Sequence, residues 1–274
     1  MSVETNKAEL GAGTLRGVLI LIGFTAIIAQ IVLMRELIVV FYGNEISLGF
    51  MLANWLLWTA AGSSLAGRLS VRVRRPRLLM AGLQLAISLA FPLTILAVRA
   101  AKGLIQSVPG EILGPGPMFL TSLVGLSFFC ALSGWLFAAG SRLCADELRT
   151  TTAAATSSVY LLEAAGSGAG GILASLALIR YFGAFQIAAF VGLLNLLAAA
   201  SLLVQGRSRR RAAVAALAVL AVVIYLWGAR GLEAASLARF WRGFGLVATR
   251  NSVYGNLAVV ETEGSASLFE NGLV

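Results

Sequence analysis

The chain has 274 residues, of which 59% are hydrophobic and only 12% charged, with a mean hydropathy of +0.89. A soluble globular domain is about 45–50% apolar and about 25% charged, so an ordinary soluble domain and a disordered chain are both excluded. Twenty-one Lys and Arg against 12 Asp and Glu give a net charge of +9. The basic residues bunch between apolar runs, so they read as membrane topology determinants and not as a nucleic-acid surface.

Histidine is absent. That excludes imidazole-ligated haem, His-containing zinc sites, Ser-His-Asp and Cys-His nucleophiles, and histidine proton relays; no metal and no cofactor is expected. Cys130 and Cys144 lie 14 positions apart on one predicted helix and its end, too far along the helical rise for a bridge, and read as small apolar residues. Residues 1–16 are polar and the first apolar run is too long for an h-region, so no signal peptide is expected.

In chain order, seven apolar stretches reach the roughly 20 residues needed to cross a bilayer: 17–41, 46–67, 78–99, 117–140, 153–179, 184–204 and 212–229. Each is uniformly apolar, which favours helices over the two-sided strands of a barrel. The expected fold is an all-α integral membrane bundle of about seven spans covering 17–229, after a cytoplasmic segment, 1–16. Arg68, Arg72, Arg74, Arg75 and Arg77 lie between helices 2 and 3, and Arg207, Arg209, Arg210 and Arg211 between helices 6 and 7. These loops are therefore expected to be cytoplasmic, with the N-terminus inside an inner (cell) membrane and the C-terminus external. Residues 230–250, which include Phe240, Trp241 and Phe244 among arginines, suit an amphipathic segment in the interface. Residues 251–274 read as an incomplete β-hairpin domain: a strand from Leu257 to Glu261, a turn near Gly264, and a strand from Ser267 to Glu270.

Polar residues inside the spans carry the candidate sites. Glu163 lies about ten residues into its span, where an ionised carboxylate costs several kcal/mol unless paired or hydrated. Counting rise from the predicted helix ends places Glu163 and Asn195 roughly 15 Å above the cytoplasmic boundary, and Asn54 and Gln30 about one turn higher. The four are expected to share a layer, with Tyr160 one turn from Glu163 on the same face. Such a layer is either a hydrogen-bond network around a protonated Glu163 or a binding or proton-relay site for a cationic substrate. Arg35, beside Glu36 near the outer end of helix 1, is expected to pair with Glu45 at the start of helix 2. Gly166, Gly168 and Gly171 match the dinucleotide fingerprint G-x-G-x-x-G, but no strand precedes them. Close helix packing through Gly166 and Gly170 is the expected role, with Ser63 and Gly67 forming a second small-residue surface.

The segments GFTAIIAQIVLMRELIVVFYGNEISLGFMLANWLLWTAAGSSLAGRL (23–69), YLLEAAGSGAGG (160–171) and SVYGNLAVVETEGSASLFENGLV (252–274) resemble the membrane-fused spermidine synthases, multi-pass relatives of the polyamine aminopropyltransferases. The resemblance implies a helical membrane domain followed by a small β-hairpin domain, to which Tyr254, Gly255, Asn271 and Gly272 correspond, and then a Rossmann-like catalytic domain. The Gly-rich turn and acidic residues of that last domain have no counterpart before Val274, so this chain alone is expected to be catalytically inactive. It would then be an anchor or assembly module, with the lipid bilayer, a homo-oligomer or larger membrane complex, and a soluble catalytic partner as its partners. The alternatives are a transporter-like bundle for a cationic solute such as a polyamine, and an accessory subunit of a larger membrane complex.

Overall fold

A computed structural model describes residues 2–42, 45–70, 72–105, 114–203, 227–241, 245–252, 255–262 and 264–271. Those residues are mostly helical, with a small sheet at the end. Helix α1 is Ser2–Val40. Helix α2 is Ile46–Ala61 and continues through a π-helical turn, Gly62–Ala66, into a last turn, Gly67–Ser70. Helix α3 is Pro76–Ile105 and α4 is Pro115–Leu148. Helix α5 is Thr152–Leu173, again extended by a π turn, Ala174–Leu178, to Ile179–Tyr181. Helix α6 is Ala184–Leu203. Residues 227–240 form a further helix, α7. The expected seventh span, 212–229, falls almost wholly outside the described residues, as do Arg207, Arg209, Arg210, Arg211, Phe244, Tyr254 and Gly272.

Local chemistry sets the helix ends. Pro115 opens α4, where its missing N–H costs nothing. Arg149 closes it in the left-handed region (φ 49°), and the Thr151 side chain then caps α5 by accepting from the Ala154 N–H at 3.3 Å.

Five helical stretches, Gly13–Val40, Pro76–Lys102, Pro115–Leu148, Thr152–Tyr181 and Ala184–Leu203, are long and apolar enough to cross a membrane. The expected span at 46–67 is helical, through its π turn, but is not among them. The outward faces agree with a membrane setting, since Leu56, Leu89, Val124, Leu161 and Leu176 are all exposed. A row of exposed large aliphatics is costly against water and neutral against lipid. Inside, α1 packs along α5, α2 along α4, and α3 along both α4 and α6. Phe91, Trp55 and Phe129 meet at the centre, with the Phe91 and Trp55 ring centroids 5.6 Å and 5.8 Å from that of Phe129. One end of the bundle holds the arginine-rich turn 72–77, where Arg77 pairs with Glu147 and Arg142 donates to the Val73 carbonyl.

The opposite end carries three antiparallel strands in the order β1 (Gly245–Asn251), β2 (Asn256–Thr262) and β3 (Ser265–Glu270). Strands β2 and β3 form the hairpin expected from the sequence, turning at Gly264 with φ +81°, where a side chain would be strained. Strand β1 is a correction. Residues 245–250, expected within the amphipathic segment, leave the helix and pair with β2 instead, from Gly245 opposite Glu261 to Asn251 opposite Asn256. Three strands over an apolar face are more stable than a lone hairpin, and that face is supplied by Ala258, Val260 and Phe269, with Trp241 edge-on to Phe269 at 5.2 Å.

Candidate functional site

The polar residues of the spans make no hydrogen bonds to one another among the described residues. Asn54 is buried on α2, and its Nδ2 donates to the Ser122 hydroxyl (2.8 Å) and the Phe119 carbonyl (3.1 Å) of α4. Asn195 is buried on α6, where its Nδ2 donates to Thr25 Oγ1 of α1 and to its own helix at Val191, both at 2.8 Å. Glu163 is partly buried on α5, against the backbone of Gly23, and makes no hydrogen bond or ion pair among the described residues. Tyr160 is 65% exposed, away from the bundle interior. Gln30 is partly buried and makes no hydrogen bond among the described residues. Among the described residues the expected four-helix network is therefore replaced by two separate contacts, with Glu163 and Gln30 in neither, because similar heights along four helices say nothing about the direction each side chain takes.

The small residues do lie at close helix contacts. A Cβ on Gly166 would overlap the Ile20 carbonyl oxygen, and one on Gly170 would sit 2.7 Å from the Ile27 side chain, so both glycines lie directly against α1. Gly67 and Ser63 face α4, near Ala138 and Gly134 respectively. Arg35 does not pair with Glu45. Its guanidinium donates to the backbone carbonyls of Ser252 (2.7 Å) and Gly255 (3.2 Å), 217 and 220 positions later. The acceptors belong to the sheet, so no helix-hairpin reasoning reaches them.

Arg35 stands at the edge of a cavity of about 690 Å³ between the bundle and the sheet. Five elements supply its charged lining: Arg35 and Glu36 from α1, Arg99 from α3, Arg180 from the end of α5, Arg230 and Glu233 from α7, and Arg250 from β1. Arg99 organises the bundle side. Its side chain is 6% exposed, Nε and Nη2 hold both oxygens of Glu36 at 2.7 and 2.8 Å, Nη2 also donates to Glu233 Oε1 at 2.6 Å, and Nη1 donates to the Ser236 hydroxyl at 2.6 Å. The forked guanidinium matches carboxylate geometry and lies 5.2 Å from the Phe185 ring centroid. The other oxygen of Glu233 accepts from the Phe185 N–H at 3.1 Å, placing a carboxylate at the start of α6, where the helix dipole favours negative charge. Gly183 makes this approach possible, since a Cβ there would lie 2.8 Å from Glu233 Oε2.

Asn251, Asn256 and Asn271 form the sheet side. The Asn256 Nδ2 donates to Asn251 Oδ1 at 2.8 Å, and the Asn256 N–H donates to Asn271 Oδ1 at 2.9 Å. Nearby, Lys102 Nζ lies over the rings of Phe240 (3.8 Å), Trp241 (4.7 Å) and Tyr42 (5.6 Å), joining the ends of α1, α3 and α7 by cation–π attraction.

Sequence pattern does not single out Arg99, Arg180, Arg230 or Glu233. One signal exists for two of them: in a chain only 12% charged, a charge within a turn or two of a span end needs a partner, and Arg99 and Glu233 sit in such positions. Comparison with known proteins finds no matching family model, no matching curated protein and no matching solved structure.

Proposed function

We propose that the protein is a membrane-embedded anchor or assembly module that seats a C-terminal extramembrane sheet on one end of its helical bundle, in keeping with the resemblance to the membrane domain of spermidine-synthase-like proteins. The seat of the sheet carries this reading: Arg35 of α1 donates to the Ser252 and Gly255 carbonyls at 2.7 and 3.2 Å, and Trp241 packs on Phe269 beneath it. Charged and aromatic contacts of this kind hold a domain in a defined position, which an anchor requires and a flexible tether does not supply. The basic turn 72–77 at the far end favours a cytoplasmic location for that end, with the sheet external to a cell membrane. A carrier of cationic solutes draws no support from Glu163, which has no hydrogen-bond partner among the described residues, or from a cavity where five arginines face two glutamates.

Hydrogen exchange of the full chain in detergent tests the seat. Amides of β1 and β2 should be protected in the unsubstituted chain. Arg35→Ala should speed their exchange by about tenfold, as loss of a charged donor to carbonyls implies, while the bundle is unchanged. Strand amides that exchange as freely as an unfolded peptide in the unsubstituted chain would overturn the anchor reading.

A further inference from the structure

The cavity's hydrogen-bonding capacity is one-sided. Both oxygens of Glu36 are held by Arg99, and both oxygens of Glu233 are taken by Arg99 and the Phe185 N–H, so the acidic groups are already satisfied. Arg35 is committed to the sheet carbonyls. Three guanidinium groups remain, those of Arg180, Arg230 and Arg250, and their side chains have no hydrogen-bond acceptor or ion-pair partner among the described residues; Arg180 only lies 5.7 Å from the ring of Tyr181. They come from three separate elements and line one cavity. Like charges lining one cavity repel unless something anionic lies between them, and among the described residues no carboxylate pairs with these three exposed arginines.

A volume of about 690 Å³ falls within the range of small-molecule sites, about 300–1,000 Å³. The rest of its lining is mixed: Val32, Ile38, Ile187 and Phe240 are apolar, and Gln186, Thr249, Asn251, Asn256 and Asn271 are polar. The matching ligand has a multiply charged oxyanion and a body that can meet both apolar side chains and amide groups. Guanidinium forks bind phosphate in two-point contacts, and several of them suit a group bearing more than one negative charge better than a single carboxylate. We propose that this cavity binds a phosphate-bearing ligand, with Arg180, Arg230 and Arg250 as its charged contacts. The phosphate can come from an anionic phospholipid headgroup at the membrane boundary or from a soluble phosphorylated solute; both present the same oxygens to the same forks.

The test uses the full chain, since the cavity needs both bundle and sheet. One arm measures thermal stabilisation by inorganic pyrophosphate in zwitterionic detergent, against chloride at matched ionic strength. The other measures binding to vesicles of phosphatidylcholine with and without phosphatidylglycerol, read as retained phosphatidylglycerol after extraction. Arg180→Gln, Arg230→Gln and Arg250→Gln combined should weaken the response by about tenfold or more, given the strength of hydrogen bonds to charged groups. The same exchange at Arg72, Arg74 and Arg75, at the far end, should leave it unchanged. Pyrophosphate stabilisation lost in the cavity variant identifies a soluble ligand, and phosphatidylglycerol retention lost in it identifies a headgroup. Absence of both responses in the unsubstituted chain, or equal responses in the two variants, overturns the proposal. Hydrogen exchange on the same samples separates this failure from failure of the sheet's seat, because strand protection is read independently of either probe.

Discussion

Arg99 is where single-residue chemistry has the largest consequence. It is 6% exposed in its side chain, between Glu36 and Glu233 at 18% and 20%. Removing one partner of a buried ion cluster strands the remaining charges, at a cost of about 3–5 kcal/mol. Arg99→Met should therefore lower the melting temperature in detergent sharply. Adding Glu36→Gln and Glu233→Gln to it should recover most of the loss, since the stranded carboxylates are then neutral. An Arg99→Met protein that melts with the unsubstituted chain would show the cluster to be energetically idle. Glu163 makes the contrast at the same scale. Its position along the helix is legible in the sequence, and its lack of partners among the described residues is not, because position comes from counting residues while partners depend on how α5 is rotated against α1.

At the scale of elements, glycines separate contact faces from exposed faces. Gly166 lies against the Ile20 carbonyl, whereas Gly168 has no atom within 4 Å of a built Cβ. Gly166→Ala must push α1 and α5 apart, costing about 1–3 kcal/mol as other overpacked contacts do. Gly168→Ala should instead stabilise by up to about 1 kcal/mol through helix propensity. Melting of the two variants side by side checks this, and equal effects would mean that α1 and α5 are not in close contact at Gly166. The π turn at Ala174–Leu178 is another feature of this scale. A π turn adds a residue to one turn of helix, rotating the next segment by roughly 100°, so Ile179–Tyr181 face a direction an uninterrupted helix would not give them, and Arg180 lines the cavity. Nothing in ASLAL announces that turn. Strand β1 is hidden for a related reason: GLVATRN has no regular alternation, and a bulge between Leu246 and Ala248 shifts its pairing with β2.

For the whole molecule, orientation is the open quantity with a direct measurement. Leu203 ends α6 at the arginine-rich end, while α7 meets Arg99 at the other, so the sheet lies opposite the basic turn. Both native cysteines are buried and contribute little background. A cysteine replacing exposed Ser265 should react with an impermeant maleimide in intact cells; reaction only after permeabilisation would place the sheet in the cytoplasm. What the amino-acid sequence determined by itself was whatever depends on neighbours along the chain: apolar runs long enough to cross a membrane, and the turn at Gly264. Tertiary structure alone decided which polar groups meet. Arg35 and Ser252, or Arg99 and Glu233, are separated by 217 and 134 positions, and their contact depends on helix rotation, on π turns and on where the sheet docks, none of which is encoded in local spacing.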